Sequence, residues 1–201
     1  MADSEVLILF AHPALQNSRV NKVLIEAVME VEGVTVHDLY EEYPDFAIDV
    51  KKEQSLLLAH SFILFHHPLF WYSTPALLKE WQDLVLQHGW AYGHDGTALR
   101  GKKFFAVLTT GGSESAYQKE GYNRFTIREL LAPIEQTWYL CGIEFLPPFV
   151  VHGTLNMKKE EILRHATEYR RVMEAITTNT FPFHKTVGLS RLNQDLESLF
   201  T

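Results

Sequence analysis

Residues 6–11, Val-Leu-Ile-Leu-Phe-Ala, form an unbroken apolar run that stops at His12-Pro13, and residues 14–21, Ala-Leu-Gln-Asn-Ser-Arg-Val-Asn, lead from it toward a helix. An apolar run this short, without polar alternation, reads as a strand covered on both faces, as in a parallel sheet. Beyond it Val20, Val23, Leu24, Ala27, Val28 and Val31 recur at spacings of three and four, the stripe of an amphipathic helix. Asn17 and Ser18 are suitable caps for its first turn, and Gly33 ends it. Residues 34–37 (VTVH) follow as a second strand.

The unit then repeats. Residues 51–59 predict a short helix and residues 62–65 (FILF) a third buried strand. Thr74-Pro75 opens a helix, since proline suits the first helical position, with Leu77, Leu78, Trp81, Leu84 and Val85 as its apolar stripe. Residues 104–108 (FFAVL) give a fourth strand. Ile127, Leu130, Leu131, Ile134 and Trp138 mark a helix that Pro133 should kink. Residues 143–151 hold a fifth strand with Pro147-Pro148 disturbing its middle, and Ile162, Ala166, Tyr169, Met173 and Ile176 a closing helix. Strands alternating with helices predict an α/β doubly wound fold, a five-stranded parallel sheet that right-handed crossovers order 2-1-3-4-5, the flavodoxin-like topology. Residues 1–176 make up that domain, and residues 177–201 are a C-terminal extension. In the extension Leu189, Leu192, Leu196 and Leu199 recur at helical spacing. So short a helix needs another surface: its own core, a dimer partner or another protein.

The 201 residues fit one domain, and 46% hydrophobic with 21% charged residues is ordinary for a soluble globular chain. With 18 Lys and Arg against 25 Asp and Glu, the net charge of −7 argues against nucleic acid or anionic lipid as partner. Cys141 is the single cysteine, so an intrachain disulfide and a zinc ribbon are excluded, and its apolar neighbours predict a core residue. The acidic start, Met1-Ala-Asp-Ser-Glu5, has no signal-peptide character, and no run approaches the roughly 20 apolar residues of a membrane helix, which makes the cytoplasm the expected location. His66, His67, His88 and His94 match no metal-ligand spacing, and no metal is expected.

Ligands of doubly wound sheets bind outside the carboxyl ends of the strands, where the strand order reverses. Three loops reach that place. In the first, His12, Ser18, Asn21 and the free amides of a helix N-terminus are equipped to hold a phosphate, although a plain capped helix reads equally well. Neither GxGxxG nor GxxxxGK[ST] occurs, which argues against a dinucleotide fingerprint and a P-loop. In the second, Leu69, Phe70, Trp71 and Tyr72 form an apolar run at a solvent-facing position, either a surface for a flat ring or a core or dimer contact. In the third, Thr109-Thr110-Gly111-Gly112 lets the backbone approach a ligand closely, or is simply a loop.

Taken together, Ala-His-Pro before Ser-x-x-Asn-Lys (residues 11–22), His-Pro-Leu-x-Trp-Tyr-Ser-x-Pro-x-Leu-Leu-Lys (67–79) and Thr-Thr-Gly-Gly (109–112) resemble the flavin-dependent NAD(P)H:quinone reductases of flavodoxin-like fold. Tyr-x-x-Tyr-Pro-Asp-Phe-x-Ile-Asp (40–49) and His-Gly-Trp-Ala-Tyr-Gly-His (88–94) bring the chain nearest to the bacterial ancillary proteins of glutathione-gated potassium-efflux systems. The resemblance spans residues 5–175. It implies that His12, Ser18, Arg19, Val20 and Asn21 hold a flavin phosphate, and that Leu69, Phe70, Trp71 and Tyr72 lie along the isoalloxazine. Backbone amides of Thr109, Thr110, Gly111 and Gly112 would meet its pyrimidine end. It further implies ping-pong transfer from NAD(P)H to a quinone, with Tyr117 catalytic, and a homodimer with His88 and His94 lining the pocket. Asn123 stands where mammalian members carry a histidine, and Asn is not an acid near neutral pH. With no second phosphate motif, FMN is expected, and FAD is the alternative. A membrane potassium-efflux transporter is the implied partner, which would place the protein at the inner membrane through that contact. The alternative functions are a non-catalytic, redox-sensing subunit of that transporter and an azo- or nitro-compound reductase.

Overall fold

The computed structural model describes residues 5–201; most of the acidic start, residues 1–4, lies outside them. Strand β1 (Val6–Phe10) is wholly buried and pairs in parallel with β2 (Val34–Asp38) on one side and β3 (Phe62–Pro68) on the other, with Val6 opposite both Val34 and Phe62. Strand β4 (Lys103–Thr109) pairs with β3. The order is therefore 2-1-3-4 followed by a fifth position, and this flavodoxin-like arrangement agrees with the sequence reading.

The fifth position is interrupted at Pro147-Pro148, the place where the sequence predicts a disturbance. It holds two short strands, β5 (Glu144–Phe145) and β6 (Phe149–Val151), each parallel to β4. Pro147 and Pro148 lie between them; neither has an N–H to give the ladder, so pairing lapses and resumes at Phe149 opposite Val107.

Period-two alternation divides β1 between two cores. Val6, Ile8 and Phe10 join α1 (Arg19–Val28) and α7 (Lys159–Thr177) on one face, with Leu24, Val172 and Met173 at the contact. Leu7, Leu9 and Ala11 face α3 (Val50–Ala59), α4 (Ala76–Val85) and α6 (Ala132–Leu140) on the other, with Leu57, Trp81 and Trp138. Short α2 (Leu39–Glu42) follows β2, and α5 (Ile127–Leu130) precedes α6. Pro75 caps α4 from just before its first residue, and Leu84 is exposed at the edge of the stripe that Leu77, Leu78, Trp81 and Val85 bury. Pro133 lies in the first turn of α6, where a missing N–H is tolerated, so the chain breaks at Leu131 into two helices instead of kinking one. Cys141 is buried, and burial pushes its thiol up to about 11.

A buried carboxylate ties the second face together. Glu53 Oε1 accepts from Tyr43 Oη at 2.6 Å and from His37 Nε2 at 2.8 Å, and Oε2 from Trp81 Nε1 at 2.7 Å. Burial acts to raise its pKa, but these three bonds outweigh that and hold the carboxyl below its ordinary value.

Beyond α7 the chain folds back on the α1 and α7 side of the sheet. The extension's leucines form two short turns, at Leu192–Gln194 and α8 (Leu196–Phe200), and Leu192, Leu196 and Leu199 are buried in that core. The Leu192 amide donates to Pro148 O at 2.8 Å. The Asn193 carboxamide accepts from Val150 N at 2.9 Å and donates to Val150 O at 2.8 Å. One side chain thus satisfies both backbone groups on the open edge of β6.

Candidate functional site

A cleft of about 990 Å³ opens at the carboxyl ends of β1, β3, β4 and β6. Its floor is the start of α1. Ser18 caps that helix by accepting from Asn21 N at 3.2 Å, and Asn17 instead ends the preceding tight turn, Leu15–Asn17. Asn21 Nδ2 bridges Ser18 Oγ at 3.1 Å and Thr109 Oγ1 at 3.0 Å, locking the helix start to the end of β4. Arg19 turns aside to donate to Met157 O at 2.8 Å. The first helical amides, of Arg19 and Val20, have no partner within the helix and present partial positive charge. His12 Nδ1 accepts from Ala14 N at 3.1 Å, so its proton sits on Nε2; burial lowers its pKa, and the ring is a neutral donor.

The second wall is the turn from Phe70 to Ser73, closed by Ser73 N donating to Phe70 O at 3.0 Å. Its central residues, Trp71 and Tyr72, have φ of 46° and 66°. Positive φ at both central positions is normally met by Asn-Gly, and each L side chain there carries strain. Trp71 is 92% exposed, so local packing does not compensate. Strain without a packing return is the mark of a functional constraint.

The third wall is the chain after β4. Thr109, Gly111 and Gly112 face the cleft. A Cβ on Gly112 would lie 3.2 Å from the Tyr117 ring, so a larger residue there would push the ring by a few tenths of an ångström. Tyr117 is nearly buried; burial first, then the neighbouring Tyr72, raises its pKa, and it remains a protonated phenol. Tyr72 Oη donates to Asn123 Oδ1 at 3.2 Å, bridging the second and third walls. Thr110 lies beneath this layer, with Oγ1 2.9 Å from Gly112 O and 3.1 Å from His152 Nδ1.

The expected residues therefore converge, with Thr110 as support beneath the cleft. His88 turns its edge to Tyr92 and lies against Gly93, and His94 is exposed; neither lines the cleft of its own chain, and the loop closes on itself through Gly89 N to Tyr92 O and Ala98 N to Trp90 O, which leaves both rings outward, on the long loop that would carry them to the cleft of a second copy. Thr154, Leu155 and Tyr122 complete the lining without having been singled out. The first two follow β6, and the same rule that marked the other loops marks theirs once the Pro147-Pro148 break is read as the middle of the fifth position. His66 and His67 are fully buried, edge-on to Phe10 and Tyr169 in the case of His66, and burial drops them to about 3 and about 4. Among the described residues no group of three or more His, Cys, Asp or Glu is arranged to hold a metal.

Residues 4–173 match the Flavodoxin_2 family model, described as a flavodoxin-like fold. The chain belongs to this family. Among its relatives, an uncharacterized NAD(P)H oxidoreductase of Bacillus subtilis, YrkL, is 48% identical over 81% of this chain and 93% of its own length. A glutathione-regulated potassium-efflux system ancillary protein, KefG of Serratia proteamaculans, is 49% identical over 82% and 90%. The general stress protein 14 of Treponema denticola, solved in complex with FMN, superposes with a TM-score of 0.82 at 36% identity, covering 86% of this chain and 99% of that one. An NADPH-quinone reductase of P. pentosaceus gives a TM-score of 0.76 at 35% identity, covering 83% and 96%. No helix among the described residues of this flavodoxin-like chain is long and apolar enough to cross a membrane.

Proposed function

We propose that this chain is an FMN-dependent NAD(P)H:quinone oxidoreductase that works as a homodimer in the cytoplasm. The observation that carries the reading is the strained Phe70–Ser73 aromatic turn facing a capped helix start across one cleft. A flavin mononucleotide needs an anion seat, a flat apolar wall and polar backbone at its pyrimidine edge, and this donor set fits each. The amides of Arg19 and Val20, Ser18 and the Nε2 proton of His12 would hold the phosphate. Leu69, Phe70, Trp71 and Tyr72 would flank the ring, and amides of residues 109–112 would meet its pyrimidine end. The single helix start that lines the cleft, with no second phosphate motif in the sequence, favours FMN over FAD. The bound flavin supplies the hydride chemistry, NAD(P)H plus a proton plus quinone giving NAD(P)⁺ plus hydroquinone.

This chain's residues bind, orient and donate. Tyr117, protonated throughout the neutral range, donates a hydrogen bond into the cleft and does not shuttle protons. Asn123 holds Tyr72 and donates or accepts without titrating. The one proton that the reaction consumes then comes from solvent through the open mouth of the cleft.

Relatives named as potassium-efflux ancillary proteins favour a second role that is compatible with the first, docking to the cytoplasmic side of such a transporter. The test of the main reading is the absorption spectrum of the purified protein, mass spectrometry of what denaturation releases, and anaerobic bleaching by NADH or NADPH followed by recovery on adding a quinone. A chain that neither carries nor takes up FMN overturns it. A flavin that binds but is not reduced leaves the transporter role as the function.

A further inference from the structure

The C-terminal segment does more than fill the core. Leu192 and Asn193 fasten it to the edge of β6, and the preceding residue, Arg191, reaches to the turn Glu114–Ala116 beside the cleft. There its guanidinium grips the Glu114 carboxylate with two nitrogens; Nη1 is on Oε1, and Nη2 is 3.0 Å from Oε2. The Glu114 carbonyl accepts from Tyr117 N at 3.1 Å, so the gripped residue is part of the turn that sets Tyr117. Asn123 N donates to Ala116 O at 2.9 Å, which places the second site residue on the same turn. Bidentate geometry and an anchored Arg191, whose side chain is 19% exposed, lift this pair above an ordinary surface ion pair. Arg191 holds the Glu114 carboxyl below its ordinary range. The family match ends at residue 173, so the clamp comes from chain beyond the shared part of the fold.

We propose that Arg191, delivered by the C-terminal segment, is a positioning residue of the cleft: by clamping Glu114 it fixes the turn that presents Tyr117 and Asn123. As a statement about catalysis this rests on the flavin reading; as a statement about the turn it does not.

Two measurements separate these. Amide hydrogen exchange on FMN-free protein reads the turn alone. In Arg191→Gln, residues 113–117 should exchange about fivefold faster while the anchored residues 192–193 keep their protection, and Glu114→Gln should reproduce the pattern. On FMN-loaded protein, stopped-flow reoxidation by a quinone should slow about fivefold in both variants, with FMN affinity within twofold of the parent. Exchanging the two charges in Arg191→Glu with Glu114→Arg should recover most of the protection and rate that either reversal alone loses. Unchanged exchange in Arg191→Gln overturns the clamp, as does a double reversal no better than its singles. Altered exchange with unchanged reoxidation overturns the catalytic role. A parent protein that takes up no FMN refutes the flavin reading and leaves the exchange result to decide the clamp.

Discussion

Replacing Trp71 with Asn should make the FMN-free protein more stable and its hold on flavin weaker. Trp71 sits at φ 46° in the Phe70–Ser73 turn, a conformation that costs a non-glycine residue about 1–2 kcal/mol and that Asn accepts readily. Little is lost with the indole. At 92% exposure it buries under a tenth of a side chain of ~250 Å², on the order of 20 Å², or about 0.5 kcal/mol. The net gain is about 1 kcal/mol, which for a chain of this size raises Tm by about 2–4 °C. The same change removes one aromatic face from the proposed flavin wall. At about 0.5–1.5 kcal/mol for such a contact, Kd for FMN should rise by roughly 2- to 12-fold. Circular dichroism melts of FMN-free protein at two concentrations, which separate any effect of self-association, give the first quantity, and quenching of FMN fluorescence gives the second. A lower Tm in the variant at both concentrations refutes the strain argument. An unchanged FMN affinity refutes the placement of Trp71 against the ring.

Ser18→Glu should raise the FMN dissociation constant at least tenfold by setting a carboxylate against the phosphate, whereas Ser18→Ala should lose about 1 kcal/mol of stability as a cap and affect FMN less; fluorescence titration and thermal melts distinguish them. Tyr117→Phe should slow turnover by roughly tenfold, about 1.4 kcal/mol, and Asn123→His should raise quinone reduction if supply of an acid limits the rate; stopped-flow traces of both half-reactions decide. Glu53→Gln should cost about 2–3 kcal/mol in urea unfolding, because its three donors lose a charged acceptor. Since the folded carboxyl lies below its ordinary value, the stabilisation it provides is complete above about pH 4.3 and is lost as pH falls through the folded pKa, so the Gln variant should show a shallower acid limb in stability measured from pH 5 downward.

What was legible in the chain is what a single face or a single turn dictates. The apolar runs 6–11 and 62–65 announced a sheet covered on both sides, and the stripes of α1, α4 and α7 announced the covering helices. What stayed hidden depends on partners far apart in sequence. Nothing near Glu53 marks it as buried; its place follows from His37, Tyr43 and Trp81 arriving from three other segments. The reach of Arg191 to Glu114 spans the whole C-terminal part of the chain, and leucine spacing in the extension revealed a need for burial without revealing where. His88 and His94 lie on a loop that backbone bonds close on itself, outside the cleft of their own chain, so a role for them rests on a second copy and not on this chain's fold.

Local rules also fail at a telling place. Along much of the sheet and its helices, propensity and capping agree, from Asp49 capping α3 to the capping box at Thr126 and Glu129. Several of the disagreements meet at the cleft: an exposed indole, two consecutive residues at positive φ, and a glycine whose Cβ would crowd a tyrosine ring at 3.2 Å. None of these stabilises the folded chain by itself, and the first two oppose it. They persist because the turn hangs from Pro68 at the end of a fully buried strand, where Leu69 N donates to Thr109 O at 2.9 Å, so the sheet holds the turn open against its own preference. A flat ring laid against residues 70–72 would bury the indole face that now meets water and return part of that strain as binding energy. This is why a change at Trp71 should move stability and flavin affinity in opposite directions, whereas a change at Glu53, where every local rule is satisfied, should reduce stability first and affect the cleft only through it.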